Sequence, residues 1–331
     1  MAHARILGTG LAVPDRVVTN DDLSTRMDTT DEWIRTRTGI RERRWVREGE
    51  TGVDMAKAAS ERALEMAGLK VSDLDGIIFA TSSPDHFVPG NGVFLQRALG
   101  AGTIPALDIR QACSGFIYGL SLADAWIRTG QFRRLLLVGA EIQSTGMEIS
   151  TEERHTAVIF ADGAGAVVLG PEENPDRGLL AFDLHSQGEF AETLWVDSPG
   201  SMYHPRVSHQ HIDEKRHLLQ MDGKEVFRHA VTRMPESVQA VVVKIGKTTA
   251  DLALLLPHQA NLRISEMVQR ALKLRDEQVY NNIDRYGNTT AATIPLLLDE
   301  CVRGGRLHPG DLVVMTAFGS GFSWGSVACR W

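Results

Sequence analysis

The stretch that decides the fold is Asp108-Ile-Arg-Gln-Ala-Cys-Ser-Gly-Phe116, in which Cys113 separates a strand pattern from a helix pattern. A short apolar run over Ile104–Ile109 precedes it, and an amphipathic pattern over Phe116–Ile127 follows it. A cysteine at a helix N-terminus faces unpaired N–H groups and the positive end of the helix dipole, which favour the nucleophilic thiolate. The same position also suits a small buried core residue. The pattern therefore predicts a strand–turn–helix unit and leaves the role of Cys113 open.

The bulk composition is that of a globular enzyme. The chain has 331 residues, of which 43% are hydrophobic and 23% charged, and its net charge is −7. This length allows a large core or two packed halves of roughly 100–200 residues each. Because the net charge is negative, we expect no overall electrostatic attraction to nucleic acid or to an anionic membrane. An acidic partner would have to bind at a local basic patch.

The cysteines and the N-terminal segment indicate the compartment. Cys113, Cys301 and Cys329 are an odd number without CxxC spacing, which disfavours a disulfide framework and a structural zinc site. The apolar run near the N-terminus is too short for a signal peptide, and no stretch approaches the ~20 apolar residues of a membrane span. We therefore expect a cytoplasmic protein.

A weak internal repeat predicts two similar halves. Gln96-Arg-Ala-Leu99 is matched by Gln269-Arg-Ala-Leu272, and Ile127-Arg-Thr-Gly130 by Val302-Arg-Gly-Gly305, at offsets of 173 to 175 residues. A Pro-, Gly- and acid-rich segment over 171–178 is interpreted as the linker between the two halves. We predict a first half over residues 1–172 and a second over 173–331. The offset of 175 places Asn288 opposite Cys113.

Strands and helices alternate within each half, which predicts an α/β fold. The apolar runs Leu135–Val138 and Leu312–Met315 are typical of fully buried strands, so each half should be a mixed sheet covered by helices on both faces. The strand-to-helix loops of both halves then meet at one interface, where ligands bind. The predicted helices are Asp54–Met66, Asn91–Leu99, Phe116–Thr129, Lys224–Lys244, Leu262–Lys273 and Thr290–Val302.

His258 is the third candidate for chemistry. It lies in Leu256-Pro-His-Gln-Ala-Asn-Leu-Arg263, after a buried strand and before a helix. Side chains at the carboxyl ends of strands carry the chemistry of α/β proteins. We therefore expect Cys113, His258 and Asn288 to converge.

Five ordered motifs resemble the thiolase-like condensing enzymes, and most closely the β-ketoacyl-[acyl-carrier-protein] synthase III family. The similarity runs from about Ile6 to Arg330. The five motifs are Asp31-Glu-Trp-Ile-Arg-Thr-Arg-Thr-Gly-Ile-Arg41, Gln111-Ala-Cys-Ser-Gly115, Pro257-His-Gln-Ala-Asn261, Gly287-Asn-Thr-Thr290 and Phe318-Gly-Ser-Gly-Phe322.

The resemblance implies a duplicated thiolase-like αβαβα fold, a homodimer and a Cys-His-Asn triad of Cys113, His258 and Asn288. Cys113 would take an acyl group from an acyl-CoA, with the backbone N–H groups of Cys113 and Ser320 holding the oxyanion. His258 and Asn288 would stabilise the enolate formed when malonyl-carrier protein loses CO2. The enzyme implied is an acyltransferase that makes a β-ketoacyl thioester and initiates fatty acid synthesis. No cofactor is implied, because coenzyme A enters as the thioester substrate.

The resemblance also implies substrate contacts. Trp33 and Arg154 would sandwich the CoA adenine, and Arg37 would approach its phosphates. From the residues alone, the favoured interpretation is a core aromatic for Trp33 and a solvated loop residue for Arg154. The remaining substrate-binding positions are Gly223, Phe227, Ala260, Asn261 and Phe318.

The expected acyl pocket departs from the family pattern. Val88 stands before Pro89 where many members carry a phenylalanine that closes the partner's acyl pocket, and Phe160 is a second expected pocket residue. The segment Trp195–Gln220 is longer than in shorter members and would cover the acyl tunnel. A smaller Val88 leaves room for a primer longer than acetyl, while Phe87 beside it restores closure, so primer length stays open.

An acidic carrier protein would need a basic docking surface. Arg263 and Arg270 follow the histidine motif on a predicted helix, and Arg228 extends the patch. The alternative is a merely solvated charged face. The dense histidines over His204–His217 lack metal-ligand spacing with carboxylates, so we expect no metal site.

Four other readings compete with this one. A relative on the same scaffold could make a secondary metabolite or transfer another acyl group with the same triad. A biosynthetic thiolase would carry a second cysteine in the motif Thr316-Ala-Phe-Gly-Ser-Gly321, which has none. A papain-like hydrolase shares the chain order Cys, His, Asn but has a different nucleophile run. A non-catalytic acyl- or CoA-binding module would not need an intact triad.

Overall fold

The computed structural model of the chain describes residues 3–331. Met1 and Ala2, which begin the segment predicted not to be a signal peptide, lie outside the described residues. The strands are β1 (His3–Ala12), β2 (Val17–Thr19), β3 (Glu42–Arg44), β4 (Gly76–Ala80), β5 (Ala106–Ile109), β6 (Leu135–Glu141), β7 (Gly163–Glu172), β8 (Gly178–Ser186), β9 (Leu194–Trp195), β10 (Gln220–Met221), β11 (Leu254–Pro257), β12 (Leu312–Gly319) and β13 (Ser323–Arg330).

The α-helices are α1 (Asn20–Ser24), α2 (Asp31–Thr38), α3 (Gly52–Ala67), α4 (Asn91–Leu99), α5 (Gly115–Arg128), α6 (Arg154–Ala157), α7 (His209–Asp213), α8 (Gly223–Lys244), α9 (Leu262–Leu272), α10 (Ile283–Tyr286) and α11 (Thr293–Arg303). Short 3-10 turns precede the two helices that matter most here. One covers Ala112–Ser114 before α5, and the other covers Thr290–Ala292 before α11.

Two sheets share one topology. The first has the order β1-β7-β6-β4-β5, and the second has the order β8-β13-β12-β11. A parallel bridge from Leu255 to Val279 occupies the place that β5 has in the first sheet. In the first sheet β1, β7 and β6 are antiparallel neighbours and β6, β4 and β5 are parallel. In the second sheet β8, β13 and β12 are antiparallel neighbours and β12 and β11 are parallel. This confirms the predicted duplicated α/β fold.

The layers follow from the two-residue period of the strands. Along β6, Leu135 and Leu137 pack in the central core against α5 and α11, while Leu136 and Val138 pack in the outer core against α3. Along β12, Val313 faces the same central core, while Val314 packs with α8 and α9 on the other outer face. Strands with apolar partners on both faces read as continuous apolar runs, as predicted. The order of layers is therefore α, β, α, β, α.

The predicted helices are present, and one begins later than expected. The sequence predicts a helix from Thr290, but the structure has a 3-10 turn over Thr290–Ala292 and starts α11 at Thr293. The cause is the backbone of Thr290, whose φ of 47° is left-handed and interrupts a right-handed helix. Ala112, at the same place before α5, has a φ of 44°.

These matched turns correct the predicted pairing of the halves. Counted by elements, the counterpart of Cys113 is Ala291 and not Asn288. The offset is 178 residues at the turns and 175 at the helix ends, because α5 has 14 residues and α11 has 11. The division of the chain at residue 172 stays a prediction; β7 ends at Glu172 and β8 begins at Gly178.

The segment Trp195–Gln220 is an insertion in the second half whose two ends lie side by side. Its ends pair as an antiparallel ladder, with Gln220 opposite Trp195 and Met221 opposite Leu194. Lys215 in this segment forms an ion pair with Glu148 at 2.8 Å, which ties the segment to the first half. Across residues 3–331, no helix is long and apolar enough to cross a membrane.

Candidate active site

Cys113 sits in the 3-10 turn between the end of β5 and the start of α5. The turn is fixed by Ser114, whose hydroxyl donates to the carbonyl of Ser323 at 2.9 Å. The left-handed backbone of Ala112 turns the chain so that Cys113 reaches the central interface between the two halves. The cysteine side chain is 7% exposed.

Burial dominates the electrostatics of the thiol. Desolvation, with a smaller contribution from the charge of Glu141, raises the pKa of Cys113 to about 12. The backbone N–H groups of Cys113 and Ser320 act in the opposite direction, because both donate toward the sulfur. The helix dipole predicts a thiolate, whereas the buried site holds a protonated thiol at neutral pH. The two amides nevertheless converge at the place expected for an oxyanion.

Close approach of two loops creates this amide pair. A Cβ on Gly319 would lie 2.7 Å from Cβ and 3.1 Å from Sγ of Cys113, so only glycine fits there. The next residue, Ser320, is held by hydrogen bonds on both sides: its hydroxyl donates to Leu194, and its carbonyl accepts from the Ser323 hydroxyl at 2.9 Å. The loop after β12 therefore presents the Ser320 amide to Cys113.

His258 follows the last residue of β11. Its backbone N–H donates to the carbonyl of Thr316 at 2.8 Å, and its ring is 2% exposed. Nδ1 lies 2.7 Å from the hydroxyl of Thr293, while Nε2 has no hydrogen-bond partner among the described residues. Burial lowers the pKa of His258 to about 3, so the ring is neutral at physiological pH.

Asn288 stands before the turn that leads into α11. Its backbone N–H donates to the carbonyl of Ile159 and its carbonyl accepts from the N–H of Ala161, with N to O distances of 2.9 Å in both bonds. Its Oδ1 accepts from the N–H of Thr290 at 2.8 Å. The carboxamide oxygen is thereby used, and the amide NH2 is left as a donor.

The three predicted catalytic residues converge on one cavity of about 390 Å³. Cys113, His258 and Asn288 all line it. The expected substrate-binding residues on the same wall are Trp33, Arg37, Gly223, Phe227, Ala260, Asn261 and Phe318. Arg154 lies beside Trp33 at the outer end of this group.

The outer end differs from the predicted sandwich. The guanidinium carbons of Arg37 and Arg154 lie 4.4 Å and 4.8 Å from the centre of the Trp33 ring. An intervening planar base needs about 7 Å between its two neighbours, since each contact takes ~3.5 Å. Arg154 also donates to the carbonyl of Asp28 at 2.6 Å. Arg154 therefore lies directly on Trp33, and an adenine between them requires that side chain to move outward.

A second cavity of about 840 Å³ shares Cys113 and Phe160 with the first. Trp195, His217 and Leu219 from the predicted covering segment line it. Val88, the expected pocket residue of the partner, lines neither cavity and is 78% exposed. Cys113 thus faces two spaces, and Phe160 lies between them.

The expected docking arginines lie on α8 and α9, two helices that contribute lining residues to the first cavity. Arg228 is exposed on α8, which also carries Gly223 and Phe227, and it pairs with Glu225 at 2.5 Å. Arg263 and Arg270 are exposed on α9. Arg270 lies 4.0 Å from Glu266, whereas Arg263 forms no ion pair with another described residue.

Two buried residues beside the site were missed by the sequence analysis. Thr293 contacts His258, and no motif distinguishes it from other helical threonines. Glu141 ends β6 and accepts from the backbone N–H groups of Ser82 and Ser83 and from their hydroxyls. Burial raises the pKa of Glu141. Among residues 3–331, no group of three His, Cys, Asp or Glu side chains could hold a metal ion.

Comparison with known proteins identifies the family. Family models described as "3-Oxoacyl-[acyl-carrier-protein (ACP)] synthase III" and its "C terminal" part match residues 107–188 and 243–331. A β-ketoacyl-[acyl-carrier-protein] synthase III from Rhizorhabdus wittichii is 44% identical over the full length of both chains, and one from Caldanaerobacter subterraneus is 43% identical over 99% of this chain and 98% of its own.

Solved structures agree with the sequence relatives. The 3-oxoacyl-[acyl-carrier-protein] synthase III of Aquifex aeolicus has a TM-score of 0.91 at 40% identity, covering 99% of this chain and 100% of its own. The priming β-ketosynthase of the R1128 polyketide pathway has the same TM-score at 33% identity, covering 99% and 96%. The family models and the full-length sequence identity to these relatives show that the chain belongs to the β-ketoacyl-[acyl-carrier-protein] synthase III family of acyltransferases.

Proposed function

We propose that the chain condenses an acyl-CoA primer with malonyl-acyl carrier protein, with loss of CO2, and so initiates fatty acid synthesis. The observation that carries the proposal is the convergence of Cys113, His258 and Asn288 on one cavity, with two backbone N–H groups directed at the cysteine sulfur. A nucleophile, a neutral imidazole and a carboxamide suit this chemistry, because decarboxylation supplies the carbanion and no carboxylate base is needed.

In the first half-reaction, the sulfur of Cys113 attacks the thioester carbonyl of the acyl-CoA. The carbonyl oxygen becomes negatively charged and accepts hydrogen bonds from the N–H groups of Cys113 and Ser320. The carbon–sulfur bond to coenzyme A then breaks, which leaves an acyl group on Cys113 and free coenzyme A.

In the second half-reaction, malonyl-carrier protein occupies the first cavity. Nε2–H of His258 and the NH2 group of Asn288 donate to its thioester carbonyl and stabilise the enolate as CO2 leaves. The enolate carbon attacks the acyl carbon on Cys113, and the carbon–sulfur bond breaks to give the β-ketoacyl thioester. A thioester is already an activated acyl group, which explains why this route requires no further cofactor.

The substrate contacts extend from the triad to the surface. We assign Ala260, Asn261, Gly223, Phe227 and Phe318 to the pantetheine arm, because they line the same cavity as the triad. Trp33, Arg37 and Arg154 would contact the nucleotide end of coenzyme A. The exposed Arg228, Arg263 and Arg270 would meet the acidic carrier protein, since all three lie on the two helices that help to line this cavity.

The working form is proposed to be a homodimer in the cytoplasm. β5 ends the first sheet, so its outer edge is unpaired. Exposed apolar side chains lie on and near this strand: Leu107 belongs to it, and Phe87, the neighbour of Val88, lies against Arg110 directly after it. A second copy of the same edge would pair with it about a two-fold axis and cover these side chains. The three unpaired, buried cysteines suit a reducing compartment.

Replacement of Cys113 by alanine separates the two half-reactions. The variant should form no acyl-enzyme and no β-ketoacyl product, because the nucleophile is absent. It should still release CO2 from malonyl-carrier protein, because the NH2 group of Asn288 still donates to the thioester carbonyl and the rest of the cavity is intact. Product formation and CO2 release, measured on the same preparation, test this directly. A variant that kept the wild-type condensation rate would overturn the proposal.

A second candidate function is condensation of a longer or otherwise larger primer, for a secondary metabolite or another lipid. The cavity of about 840 Å³ beyond Cys113 favours it, together with the small Val88. A priming synthase of a polyketide pathway shares the fold at 33% identity. The identity of the acyl group that Cys113 takes from a mixture of acyl-CoA thioesters decides between the two.

A further inference from the structure

The hydroxyl of Thr293 lies between two acceptors. Thr293 is 2% exposed at the first residue of α11. Its Oγ1 is 2.7 Å from Nδ1 of His258 and 3.0 Å from the carbonyl oxygen of Thr290. On the other side of the ring, Nε2 of His258 has no partner among residues 3–331 and borders the cavity that contains Cys113.

A count of protons limits what this group can do. A threonine hydroxyl has one proton to donate and lone pairs to accept with. In a helix this proton commonly goes to the carbonyl three or four residues earlier, which here is that of Thr290. The lone pair of the Thr293 oxygen that faces His258 can then only accept a hydrogen bond, so Nδ1 must carry the ring proton. A neutral imidazole carries one proton, so Nε2 is left with its lone pair.

We propose that Thr293 is a positioning residue that holds the ring proton of His258 on Nδ1 and thereby makes Nε2 the base that accepts the proton of Cys113. This inference rests on the proposed roles of Cys113 and His258. Those roles do not say which group removes the proton of Cys113. Because the buried cysteine is a thiol, a base must take that proton before the sulfur attacks.

The proton count of the whole cycle closes with this assignment. Nε2 takes the proton of Cys113, the sulfur bonds to the acyl carbon, and coenzyme A departs as a thiolate that takes one proton from water. The imidazolium now carries a proton on both nitrogens, and Nε2–H donates to the enolate oxygen. When the acyl–sulfur bond breaks, the Cys113 thiolate takes that proton back. The net uptake is one proton, as decarboxylating condensation requires.

Thr293 also supports the charged stage of this cycle. Burial lowers the pKa of His258, so an imidazolium there needs an acceptor for each N–H. The Thr293 oxygen accepts from Nδ1–H, and the substrate oxygen accepts from Nε2–H. Without the hydroxyl, Nδ1–H would be a buried donor with no partner, and the neutral ring would keep its proton on Nε2.

The rival arrangement has the opposite consequence. The hydroxyl can rotate to donate to Nδ1, since the Thr290 carbonyl also accepts from the backbone N–H of Thr293. The ring proton would then stay on Nε2, and His258 could donate to the enolate but not accept from Cys113. The two arrangements therefore assign Thr293 to different half-reactions.

The test measures each half-reaction in Thr293→Val, Thr293→Ser and Thr156→Val. Thr156 is the matched control, because it is buried and its hydroxyl donates to the carbonyl of Glu153, three residues earlier, at 2.9 Å, with no hydrogen bond to a histidine. Acylation is followed by the mass of the protein in single turnovers at saturating acetyl-CoA. Decarboxylation is followed as CO2 released from malonyl-acyl carrier protein in a Cys113→Ala background.

Thr293→Val should slow acylation about 100-fold, the usual size of a general-base contribution. Decarboxylation in the Cys113→Ala background should be retained or should rise, because the ring proton then lies on Nε2 and can donate to the enolate. Thr293→Ser should restore most of the acylation rate, because it keeps the hydroxyl, and Thr156→Val should acylate as the wild type does. Equal loss in both half-reactions, a loss confined to decarboxylation, or no rescue by serine would each overturn the assignment. An acyl adduct that persists in Cys113→Ala would instead overturn the proposed function.

Discussion

At Cys113 two physical effects oppose each other, and their sizes decide the protonation state. A helix N-terminus contributes about 0.3–1 kcal/mol toward the thiolate, with up to about 2 kcal/mol in a partly buried site. Burial raises the pKa of this thiol to about 12 from 9.0, and a tenfold change in an acid dissociation constant corresponds to about 1.4 kcal/mol. Desolvation is therefore the larger effect. The resting nucleophile is a thiol, which is why the base beside it matters.

The close contact between Gly319 and Cys113 gives the first prediction at this scale. Gly319→Ala should slow acylation of Cys113 by about 100-fold, because the added Cβ overlaps Cys113 and displaces the Ser320 amide from the oxyanion. Single-turnover acylation measures the effect. Gly188→Ala is the control, since a Cβ at Gly188 meets no atom within 4 Å. Wild-type acylation by Gly319→Ala would contradict the proposed amide pair.

His258 gives a prediction about stability and pH. Its pKa is about 3 in the folded protein against 6.5 for an ordinary histidine, so below pH 6.5 the unfolded chain binds a proton that the folded chain does not. Falling pH therefore favours unfolding. Between pH 6.5 and pH 5, the wild type should lose up to about 1.4 kcal/mol per pH unit more than His258→Gln.

Urea unfolding of both proteins at pH 7, 6 and 5, at one fixed protein concentration, checks this pH dependence. The carboxylates titrate alike in both proteins, so their contribution to the pH dependence cancels in the difference between the two free energies of unfolding. Parallel loss of stability in the two proteins would mean that His258 is not held neutral by burial.

At the scale of elements, the sequence predicted the type of each major helix and strand near the site but not the register between the halves. The four-residue matches gave an offset near 175, whereas the turns that carry Cys113 and Ala291 lie 178 residues apart. The difference of three residues is the difference in length between α5 and α11. No propensity reveals it, because each helix begins after a left-handed residue, Ala112 or Thr290, and neither residue type marks that conformation in the sequence.

β5 supplies the prediction at this scale. Leu107→Asp should shift the protein from dimer to monomer, because a charge would be buried at the centre of the paired edges. Val243→Asp is the control, since Val243 is an exposed apolar residue on α8, away from this edge. Light scattering gives the mass of each variant. A wild-type protein with the mass of one chain, or a Leu107→Asp variant with the mass of two, would contradict the proposed interface.

At the scale of the molecule, duplication explains where the site lies. Each sheet sends its strand-to-helix turns to the central layer, so Cys113 from the first half meets His258 and Asn288 from the second across α5 and α11. The sequence predicted this convergence because strand ends and helix starts can be recognised from periodicity. It did not predict Thr293, Glu141 or the contact of Arg154 with Trp33, because these depend on side chains that meet only after the halves pack.

Acylation of Cys113 is the step on which the whole proposed cycle depends. The most direct measurement incubates the protein with an equimolar mixture of acyl-CoA thioesters of increasing chain length and weighs the peptide that contains Cys113. We predict one acyl adduct on this peptide, lost in Cys113→Ala, with a mass that identifies the primer. An unmodified Cys113 peptide, or an adduct on another residue, would contradict the proposed cycle.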